Sequence, residues 1–155
     1  MAYVLARTEP NVRLLGFDTR PLAFDFGSIE TVAGVQNKSR QLGHQLGQGT
    51  DCAIPMLHAI QQRWQDVDCF CLLTDDESWA GQLMHPLEAV SQYREKSGRA
   101  TKIVSTAFVA HGYSTVPRDD AGSMACIGFD EAAPGIITDF IGAEAPVIPQ
   151  LAGIR

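Results

Sequence analysis

Residues Lys102–Val109 form a run that is almost wholly apolar or β-branched. A strand with a polar residue at every second position can face water on one side. A run without that alternation needs cover on both faces, the condition of a strand inside a parallel sheet. Parallel neighbours are joined by crossover connections, usually helical. This one run therefore calls for a sheet with helices above and below it. Cys69–Thr74 is a second run of the same kind, and it leads straight into Asp75, Asp76, Glu77 and Ser78. Ligands in open α/β sheets gather just beyond the carboxyl ends of the strands. Oxygen donors with no His or Cys among them suit Mg²⁺, Mn²⁺ or Ca²⁺ rather than zinc. Taken alone, the cluster reads first as a solvated turn capped by Asp75, Asp76 and Ser78.

The other elements fit around these two strands. Met1–Arg7 reads as the tail of a helix stopped by Pro10, with no capping residue at its start. Val12–Phe17 reads as a strand and Asp18–Pro21 as a turn. Leu22–Phe26 alternates as an antiparallel hairpin partner at a sheet edge. Ser28 can cap a helix running to about Leu42, although its stripe of Val32, Val35 and Leu42 is partial and Gly34 weakens it. Gly43–Asp51 is glycine-rich and opens a helix. It is not a dinucleotide fingerprint, because Cys52 stands where the third glycine should be, and it lacks the Lys-Ser/Thr of a phosphate loop. Thr50 or Asp51 serves as an N-cap, Pro55 falls in the first turn, and Ile54, Leu57, Ile60 and Trp64 mark one helical face. A helix from Pro86 to Gly98 turns Leu87, Val90 and Tyr93 inward. Ala110–Gly122 is a polar loop, Met124–Phe129 a last strand, and Asp130 a cap for a helix with Ile136, Ile137, Phe140 and Ile141 turned inward. The sum is one α/β domain, residues 1–141, with helices on both faces of a mostly parallel sheet. Residues 142–155 follow as a loosely held tail.

Charge and cysteine usage remove several classes. The net charge is −6 and no Lys/Arg run is present, so nucleic-acid binding through this chain's own charge is not expected. Cys52, Cys69, Cys71 and Cys126 form no CxxC pair. Cys69 and Cys71, two apart on a strand, share a face and read as small packing residues in a reducing cytoplasm. The sequence shows no signal peptide and no apolar run of membrane-spanning length.

A family becomes visible in longer motifs. These are Ala6–Asn11, Gly49–Met56, Thr74–Gly81, His85-Pro86, Tyr93–Lys96 and Asp119–Gly122. Together they resemble the C-terminal von Willebrand factor A-like domain of the Ro 60 kDa (TROVE-domain) RNA-binding proteins, over Met1 to about Asp130. The resemblance implies a dinucleotide-fold-like sheet with a metal-ion-dependent adhesion site at the carboxyl ends of its strands. Such a site takes an Asp-x-Ser-x-Ser from the first strand's loop, a Thr from a second loop and an Asp from a third. Thr50 matches the Thr and Asp75 the last Asp, while Asp-x-Ser-x-Ser occurs nowhere in these 155 residues. By the same resemblance Met1–Arg7 matches the tail of the helix that follows that loop. The first central strand, lying between Val12–Phe17 and Cys69–Thr74, is then expected to be missing, as in a split half, a late gene start or a decayed remnant.

Several expectations follow. The chain is a non-enzymatic binding module of a Ro-like ribonucleoprotein, linked to small non-coding RNA binding and quality control. Its adhesion site is incomplete, binding Mg²⁺ or another divalent cation only weakly through Thr50 and Asp75. A protein partner docks on the metal-site face, and RNA is bound only by a helical-repeat region absent from this sequence. Either Val12–Phe17 and Cys69–Thr74 pair directly to close the gap, or a complementing N-terminal chain fills the empty strand position; no membrane is involved. The alternative is a Mg²⁺-dependent phosphoryl-transfer or hydrolytic domain using Asp75, Asp76 and Glu77. Against it, Lys102 stands at the wrong end of its strand to meet a phosphate.

Overall fold

The computed structural model describes residues 1–47, 49–74, 84–107, 116, 120–128 and 131–143. In chain order these form α1 (Ala2–Thr8), β1 (Leu14–Phe17), β2 (Pro21–Phe24), α2 (Val32–Gln45), α3 (Ile54–Gln61), β3 (Cys69–Thr74), α4 (Pro86–Ser97), β4 (Lys102–Ala107), β5 (Ser123–Ile127) and α5 (Ala133–Gly142).

The unbroken apolar run becomes the middle strand of a parallel sheet. β4 pairs with β3 from Cys69↔Lys102 to Thr74↔Ala107, and with β5 from Ile103↔Ser123 to Ala107↔Ile127. All six of its residues are buried. Successive side chains point to opposite faces. On one face Phe70, Leu72 and Ile103 pack with Met56 and Ala59 of α3 and with Ala89, Val90 and Tyr93 of α4. On the other, Val104 joins Leu5 of α1 and Ile137 of α5, with Cys69, Cys71, Met124 and Phe140 packed against them. Helices thus cover both faces, as the lack of alternation required.

β1 and β2 pair antiparallel, Leu14↔Phe24 through Phe17↔Pro21, and make a separate two-stranded sheet. Among the described residues no ladder joins β1 to β3. Ladder alternation shows which groups this leaves. Lys102 donates its N–H to Asp68 O at 2.9 Å and Ile103 donates to Gly122 O at 2.9 Å. Even-numbered peptide groups of β3 therefore face β4, and those of Cys69, Cys71 and Leu73 face the opposite edge. In the hairpin, Asp18 donates to Arg20 O at 3.2 Å, which turns the peptide groups of Leu15 and Phe17 away from β2.

Several expectations need correction. Leu87, expected inward on α4, is half-buried and stands outside the core cluster that Ala89, Val90 and Tyr93 join. The helix expected from Ser28 to Leu42 starts at Val32 and runs to Gln45, and its N-cap is Thr31, whose Oγ1 accepts from Gly34 N at 3.1 Å. Gly34 matters here for its missing side chain: a Cβ would lie 2.7 Å from Ile29 Cγ2 and 3.1 Å from that hydroxyl. Ile136 does not turn inward. It is 52% exposed, whereas Ile137 is fully buried; adjacent helical residues lie about 100° apart, and α5 turns the side of Ile137, Phe140 and Ile141 to the core. Trp64 lies beyond α3, which ends at Gln61 before Arg63 takes a left-handed φ of 56°. Asp130 and residues 144–155 lie outside the described residues; Ala132 is the N-cap of α5 and makes no side-chain cap bond there.

Candidate functional site

The carboxyl end of β1 delivers Asp18. Its carboxylate is buried, accepting from Gly47 N at 2.5 Å and Arg20 N at 2.7 Å, with Arg20 Nε at 3.9 Å. The Gly47 bond is the main force holding the Asp18 carboxyl below the usual carboxylate range. Burial opposes it, and the amides of Arg20 and Thr19 and the charge of Arg20 assist. Asp51 donates its own N–H to Asp18 O at 2.9 Å, so the glycine-rich loop is tacked to the strand at two points. Glycine at 47 permits this approach, since a Cβ there would stand 3.1 Å from Asp18 Oδ2.

The loop then enters α3. Asp51 is buried, and its Oδ1 accepts from Ala53 N at 2.9 Å while its carbonyl accepts from Ile54 N at 3.2 Å. Neither Thr50 nor Asp51 is the N-cap itself; that position is Ala53, and Asp51 secures the turn just before it. Thr50 sits half-buried between Gly49 and Asp51. Thr74, buried, ends β3. One core cluster contains Cys52 and Ala53, next to the loop, and Leu72, two residues before Thr74. Asp75, Asp76 and Glu77 lie outside the described residues.

The donor set present is one of oxygens, which suits a hard cation. Two of its carboxylates are already committed: Asp18 accepts from the amides of Arg20 and Gly47, and Asp51 from that of Ala53. Among the described residues no three or more His, Cys, Asp or Glu gather into a metal-holding group.

Sequence reading missed Asp18 as the anchor of this loop. Its bond to Arg20 N has a local signal, an aspartate bonding two residues on in a turn. Its bond to Gly47, 29 residues away, has none. Lys102 opens β4, at the end of the sheet opposite Thr74, and its Nζ donates to Phe140 O at 2.6 Å, Ile141 O at 3.1 Å and Ala143 O. It holds the last turn of α5 and is not placed to meet a phosphate at the strands' carboxyl ends.

A three-stranded parallel sheet covered by helices on both faces, with an antiparallel hairpin beside it and the candidate loops at the strands' carboxyl ends, defines a von Willebrand factor A-type α/β domain. Residues 1–141 match the family described as the Ro60 vWA domain, and the chain belongs to that family. It is 35% identical over 144 residues to the RNA-binding protein RO60 of Deinococcus radiodurans, covering 93% of this chain and 26% of that protein. With the RNA-binding protein RO60 of Caenorhabditis elegans it shares 40% identity over 93 residues, 59% of this chain and 14% of that protein. The crystal structure of the Deinococcus radiodurans RO (RSR) protein superposes with a TM-score of 0.70 at 36% identity, over 89% of this chain and 27% of that one. The chain thus spans about a quarter of the length of the Deinococcus relative.

Proposed function

We propose that this chain is the non-catalytic interaction module of a Ro-like RNA-binding protein, acting in the cytoplasm in small non-coding RNA binding and quality control. The observation that carries this reading is the family match over residues 1–141, shared with relatives named for RNA binding. RNA itself is held by a helical-repeat region other than this chain, whose net charge of −6 disfavours phosphate contact. What this chain offers is a docking face for a protein at the strands' carboxyl ends. There Thr50 and Asp75 take part in weak Mg²⁺ binding, and an acidic side chain of the partner joins the ion's shell. No helix among the described residues is long and apolar enough to cross a membrane.

The same reading includes an added strand. The unladdered edges of β1 and β3 support it. Each presents a row of peptide groups, those of Leu15 and Phe17 on one side and of Cys69, Cys71 and Leu73 on the other. Such edges are templates for pairing with another segment. A complementing N-terminal segment of the domain would supply the missing ladder bonds.

The deciding experiment is a gel-shift of a small structured RNA with this chain alone, alongside a phosphatase and nuclease screen with Mg²⁺ or Mn²⁺. No shift at micromolar protein and no turnover are expected. Tight RNA binding by the isolated chain would overturn the division of labour, and metal-dependent turnover would favour a hydrolytic domain instead.

A further inference from the structure

Cys69 and Cys71 are the one pair of cysteines among the described residues whose sulfurs approach each other, with Sγ atoms 3.8 Å apart on the α1/α5 face of β3. Both are half-buried free thiols, whereas Cys52 is fully buried. We propose that they form a dithiol modification site that a peroxide closes, reversibly, to a disulfide within the strand.

Three features carry the proposal. The first is reach. Residues two apart on a strand have Cα atoms about 6.6 Å apart, near the upper end of the roughly 4.4–6.8 Å range of a disulfide, and closing the bond bends the strand until the Cβ atoms come within roughly 3.5–4.5 Å. The sulfurs must close from 3.8 Å to about 2.05 Å. The second is latitude. In the chain without an added strand, the outward peptide groups of Cys69 and Cys71 are in no ladder among the described residues, so a bend between them disturbs only the pairing of Phe70 with β4. The third is asymmetry within the pair. The hydrogen bond between the two sulfurs holds the Cys71 thiol below its usual range, against the opposing pull of burial and of Glu9. That same bond, with burial, pushes Cys69 up, while Lys102 works the other way. Cys71 is therefore the readier of the two to ionise and attack, and Cys69 the one that resolves.

The reaction balances with peroxide as the oxidant. The Cys71 thiolate attacks one peroxide oxygen, forming an S–O bond as the O–O bond breaks, and hydroxide leaves and takes up a proton from solvent to become water. This gives a sulfenic acid. The Cys69 sulfur then attacks the sulfur of Cys71. An S–S bond forms, the S–O bond breaks, and the departing hydroxide takes the Cys69 proton and leaves as water. The two sulfurs together lose two electrons, and the peroxide gains them.

Trypsin tests this directly, because Trp64–Arg94 contains no internal Lys or Arg and holds both thiols apart from Cys52 and Cys126. After hydrogen peroxide treatment of the native chain, this peptide is expected to lose two hydrogens and to lose iodoacetamide labelling at both cysteines, each restored by dithiothreitol. Oxidation of Met84 adds oxygen and is distinguished by mass. In Cys69→Ser a dimedone adduct should accumulate at Cys71, exceeding that at Cys69 in Cys71→Ser. Full alkylation of both thiols after peroxide, or disulfides formed only between chains, would overturn the proposal. The wild-type map decides this even if a variant fails to fold. Dimedone adducts that favour Cys69 would overturn the roles assigned to the two sulfurs.

Discussion

Arg94 of α4 and Asp120, just before β5, meet at 2.9 Å through Nη1 and Oδ2. The same guanidinium donates from Nε to Thr101 O at 2.7 Å, while Asp120 also accepts from Ser123 Oγ at 2.6 Å and from Gly122 N at 2.9 Å. Two motifs that stand far apart in the chain are thus one clamp, which fastens α4 to the entry ends of β4 and β5. It lies opposite the candidate loops and serves stability. Lysine has a single ammonium where arginine has a planar fork. Arg94→Lys should destabilise the fold by about 1–3 kcal/mol, read as a lower urea midpoint with an unchanged slope.

Acid should weaken the fold through two named carboxylates. Burial pulls Asp120 upward, but the bonds from Ser123, Gly122 and Arg94 outweigh it and leave the group below its ordinary value of 3.8. Asp18 is likewise lowered, chiefly by Gly47. With folded values below the unfolded one, the unfolded chain takes up protons first as pH falls. The stability these groups contribute is therefore complete above the ordinary value and is lost as pH drops through the folded values. Urea midpoints should hold between neutral pH and about pH 5 and then fall below about pH 4. Asp120→Asn should be less stable at neutral pH and flatten the acid limb.

The ammonium of Lys102 donates to three carbonyls at the end of α5 and lies 5.1 Å from the Phe140 ring centroid. Lys102→Met keeps the bulk but leaves those carbonyls without that donor, at about 1–3 kcal/mol. Hydrogen exchange should quicken most in α5, since the lost bonds are at its last turn. Uniform quickening across the domain would show that the lysine does not act locally.

Mg²⁺ titration checks the candidate ion site. The native chain should show weak, millimolar-range heats that vanish in Asp75→Asn and diminish in Thr50→Ala. A micromolar affinity would mean that the chain supplies a full shell by itself.

Light scattering checks the strand edges. The edges of β1 and β3 that no ladder holds among the described residues favour association, so the chain should be concentration-dependent in size, and an added segment carrying the complementing strand should make it monodisperse. A monodisperse monomer without that segment would remove the need for one.

Much of the architecture was legible in local pattern. Lys102–Ala107 lacks a wet face, so its burial on both sides and the helices over it follow from sequence. The hairpin follows from the turn at Asp18–Pro21, and the first-turn place of Pro55 from its missing N–H. The cap of α2 and the outward turn of Ile136 were not legible, because several residues could fill each role and only packing against neighbours selects one. Of the candidate ion site the structure describes one half. Thr50 stands at the mouth of α3, while Asp75 falls outside the described residues.

What the chain's own order of residues determined is periodicity: which segments are strands, which are helices, and which faces must be dry. Only the tertiary structure decided the pairings of Gly47 with Asp18, Arg94 with Asp120 and Lys102 with the end of α5, across 29, 26 and 38 residues. The physical reason is that hydrophobic burial repeats along the chain and leaves a readable period. A hydrogen bond between distant groups has no period, and exists only once packing has brought donor and acceptor within reach.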